Sequence, residues 1–138
     1  MFHVSTIMKP EEQRRLIGND IGLIYFQEET PFASAKFRGS VNSVACVVRP
    51  KAEEAGTSYQ VGSFRRSHIQ SFSPEIPSQS ISEEQLKDFL LTKMVNGIIA
   101  AQKAAPFNEM FAKLFKSEVK DILENFPPPK KSNKKKKK

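Results

Sequence analysis

Apolar side chains recur at helical spacing in the C-terminal half of the chain. Ser82-Glu83-Glu84-Gln85 has the residue types and the spacing of a capping box, which predicts the start of a helix. The apolar positions that follow are Leu86, Phe89, Leu90, Met94, Val95, Ile98 and Ile99. A second helix is predicted from Pro106 until the prolines at 127–129. Its apolar stripe consists of Phe107, Met110, Phe111, Leu114, Phe115, Val119, Ile122, Leu123 and Phe126. We expect both helices to cover one face of a sheet.

The N-terminal half carries shorter patterns that are typical of strands. Residues 2–8 alternate enough to predict a short strand, and Pro10 followed by charged residues predicts a helix. Gly18-Asn19-Asp20 interrupts that helix as a stop or turn would. Three further strands are predicted at 21–26, 41–48 and 58–64, and residues 67–82 are rich in Ser, Gln and Pro, which favours a loop.

Strands first and long helices last predict an α/β fold with a mixed central sheet covered by helices. The 138 residues and 38% hydrophobic content suffice for one domain, which we expect over 1–126. Residues 127–138 form a Pro/Lys-rich segment in which like charges repel and nothing apolar remains to bury, so we expect a disordered tail. The residues outside the helices that we expect in the core are Phe2, Val4, Ile24 and Phe26.

The formal charge of +7 is located in that tail. Residues 130–138 contain seven of the 22 basic residues, which leaves 15 basic against 15 acidic residues in 1–129. The folded part is therefore neutral, and we expect no nucleic-acid partner. The tail could act as a solubilising segment, as a nuclear import signal, or as a weak contact with an anionic membrane through Lys130 to Lys138, where each Lys adds about 1 kcal/mol.

Conventional catalytic motifs are missing from the sequence. The single Cys46 allows no internal disulfide, and no Lys-Ser/Thr phosphate loop exists that would bind GTP. His3 and His68 have no Cys, Ser or carboxylate at a diagnostic spacing, and His3 is more consistent with a structural role. We expect no cofactor and no metal. No run approaches the length of a membrane span and Met1 to Val4 does not start like a signal peptide, so a cytoplasmic location is expected.

The informative stretch is 15–27, which reads Arg-Leu-Ile-Gly-Asn-Asp-Ile-Gly-Leu-Ile-Tyr-Phe-Gln, preceded by Phe-His-Val-Ser-Thr at 2–6. Here the sequence resembles the catalytic domain of Rap and Ral GTPase-activating proteins, the family that includes tuberin. In that family a Phe-His-Val-Ser-Thr strand precedes a helix that ends in His-Ile-Gly-Asn-Asp. The resemblance runs through residue 115 and includes Thr30 to Phe32, Val44 to Arg49, Phe72 to Pro77 and Asp88 to Asn96.

The resemblance implies that Asn19 is an asparagine thumb, inserted in trans into a Rap-like small GTPase in its GTP-bound form. Rap-type GTPases are understood to lack the glutamine that elsewhere orients the attacking water. The chain would then be an activator and not itself the enzyme. The other residues expected to contact the GTPase, or to order the thumb, are Arg14, Arg15, Leu16, Gly18 and Asp20. On its own, Gly-Asn-Asp is most often a plain helix terminus, and an Arg pair is as often a solvated helix face.

Three departures from the family pattern leave alternatives open. Leu16 stands where the family usually has a histidine. The segment 7–13 is also shorter than the corresponding segment of the family. The family domain also begins upstream of the Phe-His-Val-Ser-Thr strand, so we expect either a fragment or a reduced member that lacks the N-terminal part, with its dimerisation unknown. A weak or inactive GTPase-binding or scaffold-binding module is therefore the alternative function, and binding through the basic tail is a third.

Overall fold

The computed structural model describes residues 3–29, 39–53 and 56–127. The chain divides into two compact units, Met1–Ala105 and Pro106–Lys138. In the first unit the elements follow one another as a 3-10 turn (Ser5–Ile7), α1 (Pro10–Ile17), β1 (Gly22–Phe26), β2 (Val44–Glu53), β3 (Gly56–Arg65), β4 (Ile81–Ser82) and α2 (Glu83–Gln102). The second unit contains α3 (Phe107–Asn125).

The sheet is mixed, as the sequence predicts. The described strands lie in the order β1-β2-β3-β4; β1 is parallel to β2, and the other neighbours are antiparallel. Gly22 lies opposite Val44, and Val44 lies opposite Arg65 on the other side. The start of β1, the start of β2 and the end of β3 therefore meet at one end of the sheet, and the turn that carries Asn19 leads directly into that end.

Apolar residues pack on both faces of β2. On one face Val44 and Cys46 pack with Met94 and Ala101 of α2 and with Ile69. Burial raises the pKa of the Cys46 thiol to about 11, so this cysteine remains a protonated, apolar core residue at neutral pH. The other face holds Leu23 and Ala45, packed with Ile17, Tyr25 and Phe64. The core therefore anchors both α2 and the last residue of α1.

Two side chains of α2 hold the loop that follows β3. The buried Lys93 donates from Nζ to the carbonyls of Phe72 and Pro74, each at 2.7 Å, and lies 4.3 Å from the centre of the Phe72 ring. Asn96 donates to the carbonyl of Ser73 at 2.9 Å. Loss of hydration on burial lowers the pKa of Lys93. Three successive carbonyls are thus bound to one helix, which fixes the loop where Phe72 packs on the core.

Most elements agree with the sequence prediction, with shifted ends. The strand predicted at 41–48 begins at Val44 and extends to Glu53, and the loop predicted at 67–82 ends in β4. Ser82 is the N-cap of α2, but its side chain makes no capping hydrogen bond. The strand predicted at 2–8 is wrong, because its described residues contain no strand and Ser5–Ile7 form the 3-10 turn. Alternation over so few residues does not distinguish the two conformations.

Outside the helices the predicted core is wrong at three positions, and in the predicted stripe of α2 Val95 and Ile99 are exposed. Val4, Ile24 and Phe26 are 48%, 43% and 60% exposed, and Phe2 lies outside the described residues. Val4 precedes the 3-10 turn instead of lying in a sheet. Ile24 and Phe26 belong to β1, which is the last described strand at its side of the sheet, so only its alternate residues pack against the core.

The second unit also departs from the prediction. α3 has the predicted bounds, but the expectation that its stripe is core is not met, because Phe111 and Leu114 are 42% and 57% exposed. An amphipathic pattern shows that a face needs a partner, and it does not identify that partner. None of the described helices combines the length and the apolar character that a membrane span requires.

The close approach of α2 to the sheet generates a first prediction. A Cβ at Gly97 would lie 2.9 Å from the Phe72 ring and 3.3 Å from a methyl group of Val44. Gly97→Val should therefore lower the free energy of unfolding by about 1–3 kcal/mol, as overpacking does. The control is Gly62→Val on β3, where nothing lies within 4 Å of an added Cβ. Equal unfolding midpoints for the two variants in a denaturant titration would contradict this packing.

Candidate functional site

The N-terminal end of α1 is fixed by local hydrogen bonds. Pro10 occupies the first turn, where no intrahelical N–H bond is lost. The carboxylate of Glu12 accepts from the backbone N–H of Lys9 at 3.3 Å. Gln13 donates from Nε2 to the carbonyls of Ser5 at 2.7 Å and Met8 at 3.2 Å. The helix is thus tied to the 3-10 turn before it.

The C-terminal end of α1 passes into a tight turn that exposes Asn19. Gly18 follows the helix with φ −62° and ψ −21°. The N–H of Asn19 donates to the carbonyl of Leu16 at 3.1 Å, and that of Asp20 donates to the carbonyl of Ile17 at 3.2 Å. These bonds close the last turn of the helix. The side chain of Asn19 donates from Nδ2 to the carbonyl of Arg15 at 2.7 Å. Asn19 is therefore exposed but not randomly oriented.

A buried asparagine lies under this turn. Asn42 is 4% exposed, and its Nδ2 donates to the carbonyl of Ile17 at 3.0 Å and to the carbonyl of Asp20 at 2.6 Å. Arg66 donates from Nε to the carbonyl of Asn42 at 2.8 Å and from its guanidinium to the carbonyl of Gly39. The turn is therefore bound to the start of β2, and the start of β2 is bound to the residue that follows β3.

The turn has a second attachment through the N-terminal segment. Nδ1 of His3 lies 2.9 Å and 3.0 Å from the two carboxylate oxygens of Asp20, in a partly buried contact. The ring nitrogen donates here, since an ionised carboxylate only accepts. His3 thus contacts Asp20, and its structural role stays a prediction. The carboxylate of Asp20 binds His3, and the backbone carbonyl of Asp20 accepts from Asn42.

The remaining predicted site residues lie on α1 beside the turn. Arg14 and Arg15 are exposed in its last turn, where a cation is also favourable at the negative end of the helix dipole. Leu16 is half-buried and offers no hydrogen-bonding side chain. Gly18 makes a close contact, because a Cβ there would lie 2.6 Å from the carbonyl oxygen of Arg14. All six predicted site residues lie within positions 14–20, at the C-terminal end of α1 and in the turn that follows it.

The turn does not line the main open cavity of the described residues. An open cavity of about 400 Å³ lies between the β3–β4 loop and the C-terminal half of α2, and its lining includes His68, Phe72 and Lys103 but no residue of α1 or of the turn. Within the described ranges no group of His, Cys, Asp and Glu side chains could hold a metal ion. An exposed carboxamide on a rigid support is suited to act inside another protein's site.

Sequence reasoning did not identify Asn42 as a site residue. Its only sequence signal is a polar residue at the entry of an apolar run, and many such residues simply end a strand. Arg66 is adjacent to Arg65 in the sequence, but its role depends on a contact 24 positions away. Such a contact follows from the sheet register and has no local pattern.

Gly18 generates a second prediction. A residue with φ near −60° usually tolerates Ala, and Gly→Ala then stabilises a protein by about 0.4–1 kcal/mol. Here the added carbon would collide with a backbone oxygen of the same helix. Gly18→Ala should therefore destabilise the protein, by about 1–3 kcal/mol. Gly62→Ala, with open space around the new carbon, is the control in the same thermal unfolding experiment. A gain in stability for Gly18→Ala would show that the turn relaxes freely.

Comparisons with known proteins agree on one family. The sequence profile of the Rap/ran-GAP family matches residues 1–116. Signal-induced proliferation-associated 1-like protein 2 of Homo sapiens is 34% identical over 140 aligned positions, which cover 91% of this chain and 8% of that protein. A GTPase-activating protein of Dictyostelium discoideum is also 34% identical over 140 positions, covering 91% of this chain and 13% of that protein.

The fold has a counterpart among solved structures. The TSC2 GAP domain superposes with a TM-score of 0.53 at 23% sequence identity, over 67% of this chain and 50% of that chain. The chain therefore has the mixed α/β architecture of that domain, and it spans about a tenth of the length of the curated relatives it matches. From the profile match over residues 1–116 and the identity to these relatives, the chain belongs to the Rap/ran-GAP family.

Proposed function

We propose that this chain stimulates GTP hydrolysis by a Rap-like small GTPase, to which it presents Asn19 in trans. The observation that carries the proposal is the exposed carboxamide of Asn19 on a turn whose backbone is bound from below by the buried Asn42. Family membership and the relative named as a GTPase-activating protein support the activity. The Rap-like partner and the role of Asn19 are the finer parts of the proposal.

The chemistry requires little more than placement. Phosphoryl transfer needs a water in line with the γ-phosphate and stabilisation of the charge on its oxygens. A carboxamide has two N–H donors and an acceptor oxygen, so it can bind a water through both its proton and its lone pair. In the structure one N–H of Asn19 donates to the carbonyl of Arg15. The second N–H and the oxygen of the Asn19 amide can then bind the water, while the hydrogen bond to Arg15 orients the side chain.

The residues around Asn19 suit a negatively charged partner site. Arg14 and Arg15 are exposed one turn before the thumb, and guanidinium groups bind carboxylates and phosphates with two parallel hydrogen bonds. The carboxylate of Asp20 is held by His3 and so is kept in a fixed position instead of being free to approach the nucleotide. We expect Arg14 and Arg15 to contribute to docking more than to the chemical step.

A binding module without catalytic effect is the second candidate, and Leu16 is the observation that favours it. This half-buried aliphatic residue lies three positions before Asn19, so a hydrogen-bonding group that the resemblance implies for that position is replaced by carbon. Loss of one such contact leaves docking possible and weakens the chemistry. The two candidates differ in whether saturating amounts of the chain accelerate hydrolysis.

The test of the thumb is Asn19→Ala in single-turnover GTP hydrolysis with Rap, Ral and Rheb proteins. Removal of the water contact should lower the saturating rate by about 100- to 1000-fold, the loss typical of a deleted transition-state hydrogen bond. Asn19→Asp should also fail, because a carboxylate cannot donate and would face the γ-phosphate charge. Affinity for the GTP-bound GTPase should change little.

Asn125 supplies a matched control for this experiment. Its Nδ2 donates to the carbonyl four residues earlier, Asp121, at 2.9 Å, as Asn19 does to Arg15. Asn125→Ala therefore removes the same local hydrogen bond from a helix end and should leave the rate unchanged. If the folded Asn19→Ala protein stimulates hydrolysis as well as the parent, the thumb assignment is wrong. If the parent binds without stimulating, the binding module is the function.

Leu16 generates a separate prediction. Leu16→His introduces an imidazole beside the thumb and should raise the saturating rate by about 10-fold, which corresponds to one added hydrogen bond of about 1.4 kcal/mol. Leu16→Ala is the control, since it removes the leucine without adding a hydrogen-bonding group. Equal rates for the histidine and alanine variants, with both folded, would show that the aliphatic side chain is not what limits activity.

A further inference from the structure

We propose that Asn42 is a positioning residue, which sets the height and direction of Asn19 through the backbone on both sides of the turn. The inference rests on the proposed function for its catalytic consequence. It rests on the structure alone for its geometry, and the two parts can be tested separately.

Both N–H groups of one buried amide are used on the turn. Nδ2 of Asn42 donates to the carbonyl of Ile17, the last residue of α1. It also donates to the carbonyl of Asp20, which lies two residues before β1 begins. Gly18 and Asn19 are the two residues between these points. A side-chain amide has only two N–H donors, so both donors of Asn42 bind carbonyls that flank this two-residue segment.

Asn42 is itself held in place. Its backbone carbonyl accepts from Arg66, whose guanidinium also binds the carbonyl of Gly39. The N–H of Arg66 donates to the carbonyl of Ser43 at 3.0 Å, and the N–H of Ser43 donates to that of Ile21 at 2.7 Å. Any side chain at position 39 would collide with Oδ1 of Asn42. Asn42 therefore links the turn to the end of the sheet, through its side chain to the turn and through its backbone to Arg66.

The other attachment of the turn acts differently. His3 binds the carboxylate of Asp20, which is a flexible side chain, whereas Asn42 binds backbone carbonyls on both sides of Asn19. A catalytic group misplaced by 1 Å can cost about 100-fold in rate. Loss of the Asn42 amide should therefore affect the chemical step even in molecules that remain folded and still dock.

The experiment compares Asn42→Ala and Asn42→Asp with the parent chain in single-turnover hydrolysis. The saturating rate should fall about 10- to 100-fold, and the half-saturating concentration should change less than about threefold. Asn42→Asp keeps the shape but places an acceptor against two carbonyl acceptors, so it should be at least as impaired. Asn96→Ala is the matched control, because that amide also donates to a backbone carbonyl, that of Ser73, but on α2.

A double mutant separates positioning from a general effect. If Asn42 acts through Asn19, Asn42→Ala should cause no further loss of rate in the Asn19→Ala background. A full loss in that background, or a rise in the half-saturating concentration with an unchanged saturating rate, would overturn the proposal.

Amide hydrogen exchange in the free chain tests the geometry without a GTPase. Asn42→Ala should speed exchange of the Asn19 and Asp20 amides selectively, whereas Asn96→Ala should not. If the Asn42 variants do not fold, Arg66→Gln replaces them, since it removes the support of Asn42 and leaves its amide. Should the parent chain fail to stimulate any GTPase, the proposed function fails, and exchange then decides the positioning alone. Unchanged exchange in the Asn42 and Arg66 variants would overturn it.

Discussion

The geometry of the candidate site depends on one buried amide. Asn42 lies two residues before β2 and donates to the carbonyls of Ile17, at the end of α1, and Asp20, in the turn that follows. A buried carbonyl without a donor costs about 1–3 kcal/mol, so the turn has a strong preference for the position in which both bonds form. That position leaves Asn19 exposed. The buried amide of Asn42 thus fixes the position of the exposed amide of Asn19.

The support under Asn42 comes from the sheet and from α2. The register places the ends of β1, β2 and β3 together, so that Arg66 can reach back to residues 39 and 42. On the α2 face of the sheet, the core and the carbonyl contacts of Lys93 and Asn96 keep the segment after β3 in place. The exposed turn is therefore attached to the end of the sheet at which β1, β2 and β3 meet.

The sequence was sufficient for the parts of the fold that have a local cause. The capping-box spacing and the apolar period predict α2 within a residue at its start, and the apolar run at 21–26 predicts β1. The candidate site residues all lie within 14–20, where the resemblance names them, and their contact with a GTPase stays a prediction. The 3-10 turn was missed, since the seven residues at 2–8 fit either conformation. Asn42 was missed because its partners lie 22 and 25 positions away and are backbone atoms, which leave no pattern in side-chain identity.

α3 shows what periodicity alone does not predict. The apolar stripe predicts the helix and its bounds, yet most side chains of the stripe are exposed, so the pattern does not identify what packs against them. In α1 the situation is reversed: the helix is short, charged and buries little, but its last residue, Ile17, packs in the core and accepts from Asn42. A helix of this kind cannot be held by its own apolar face. It is held at Ile17 and along its backbone, so the polar contacts beneath the turn, and not the apolar area, hold Asn19 in its exposed position.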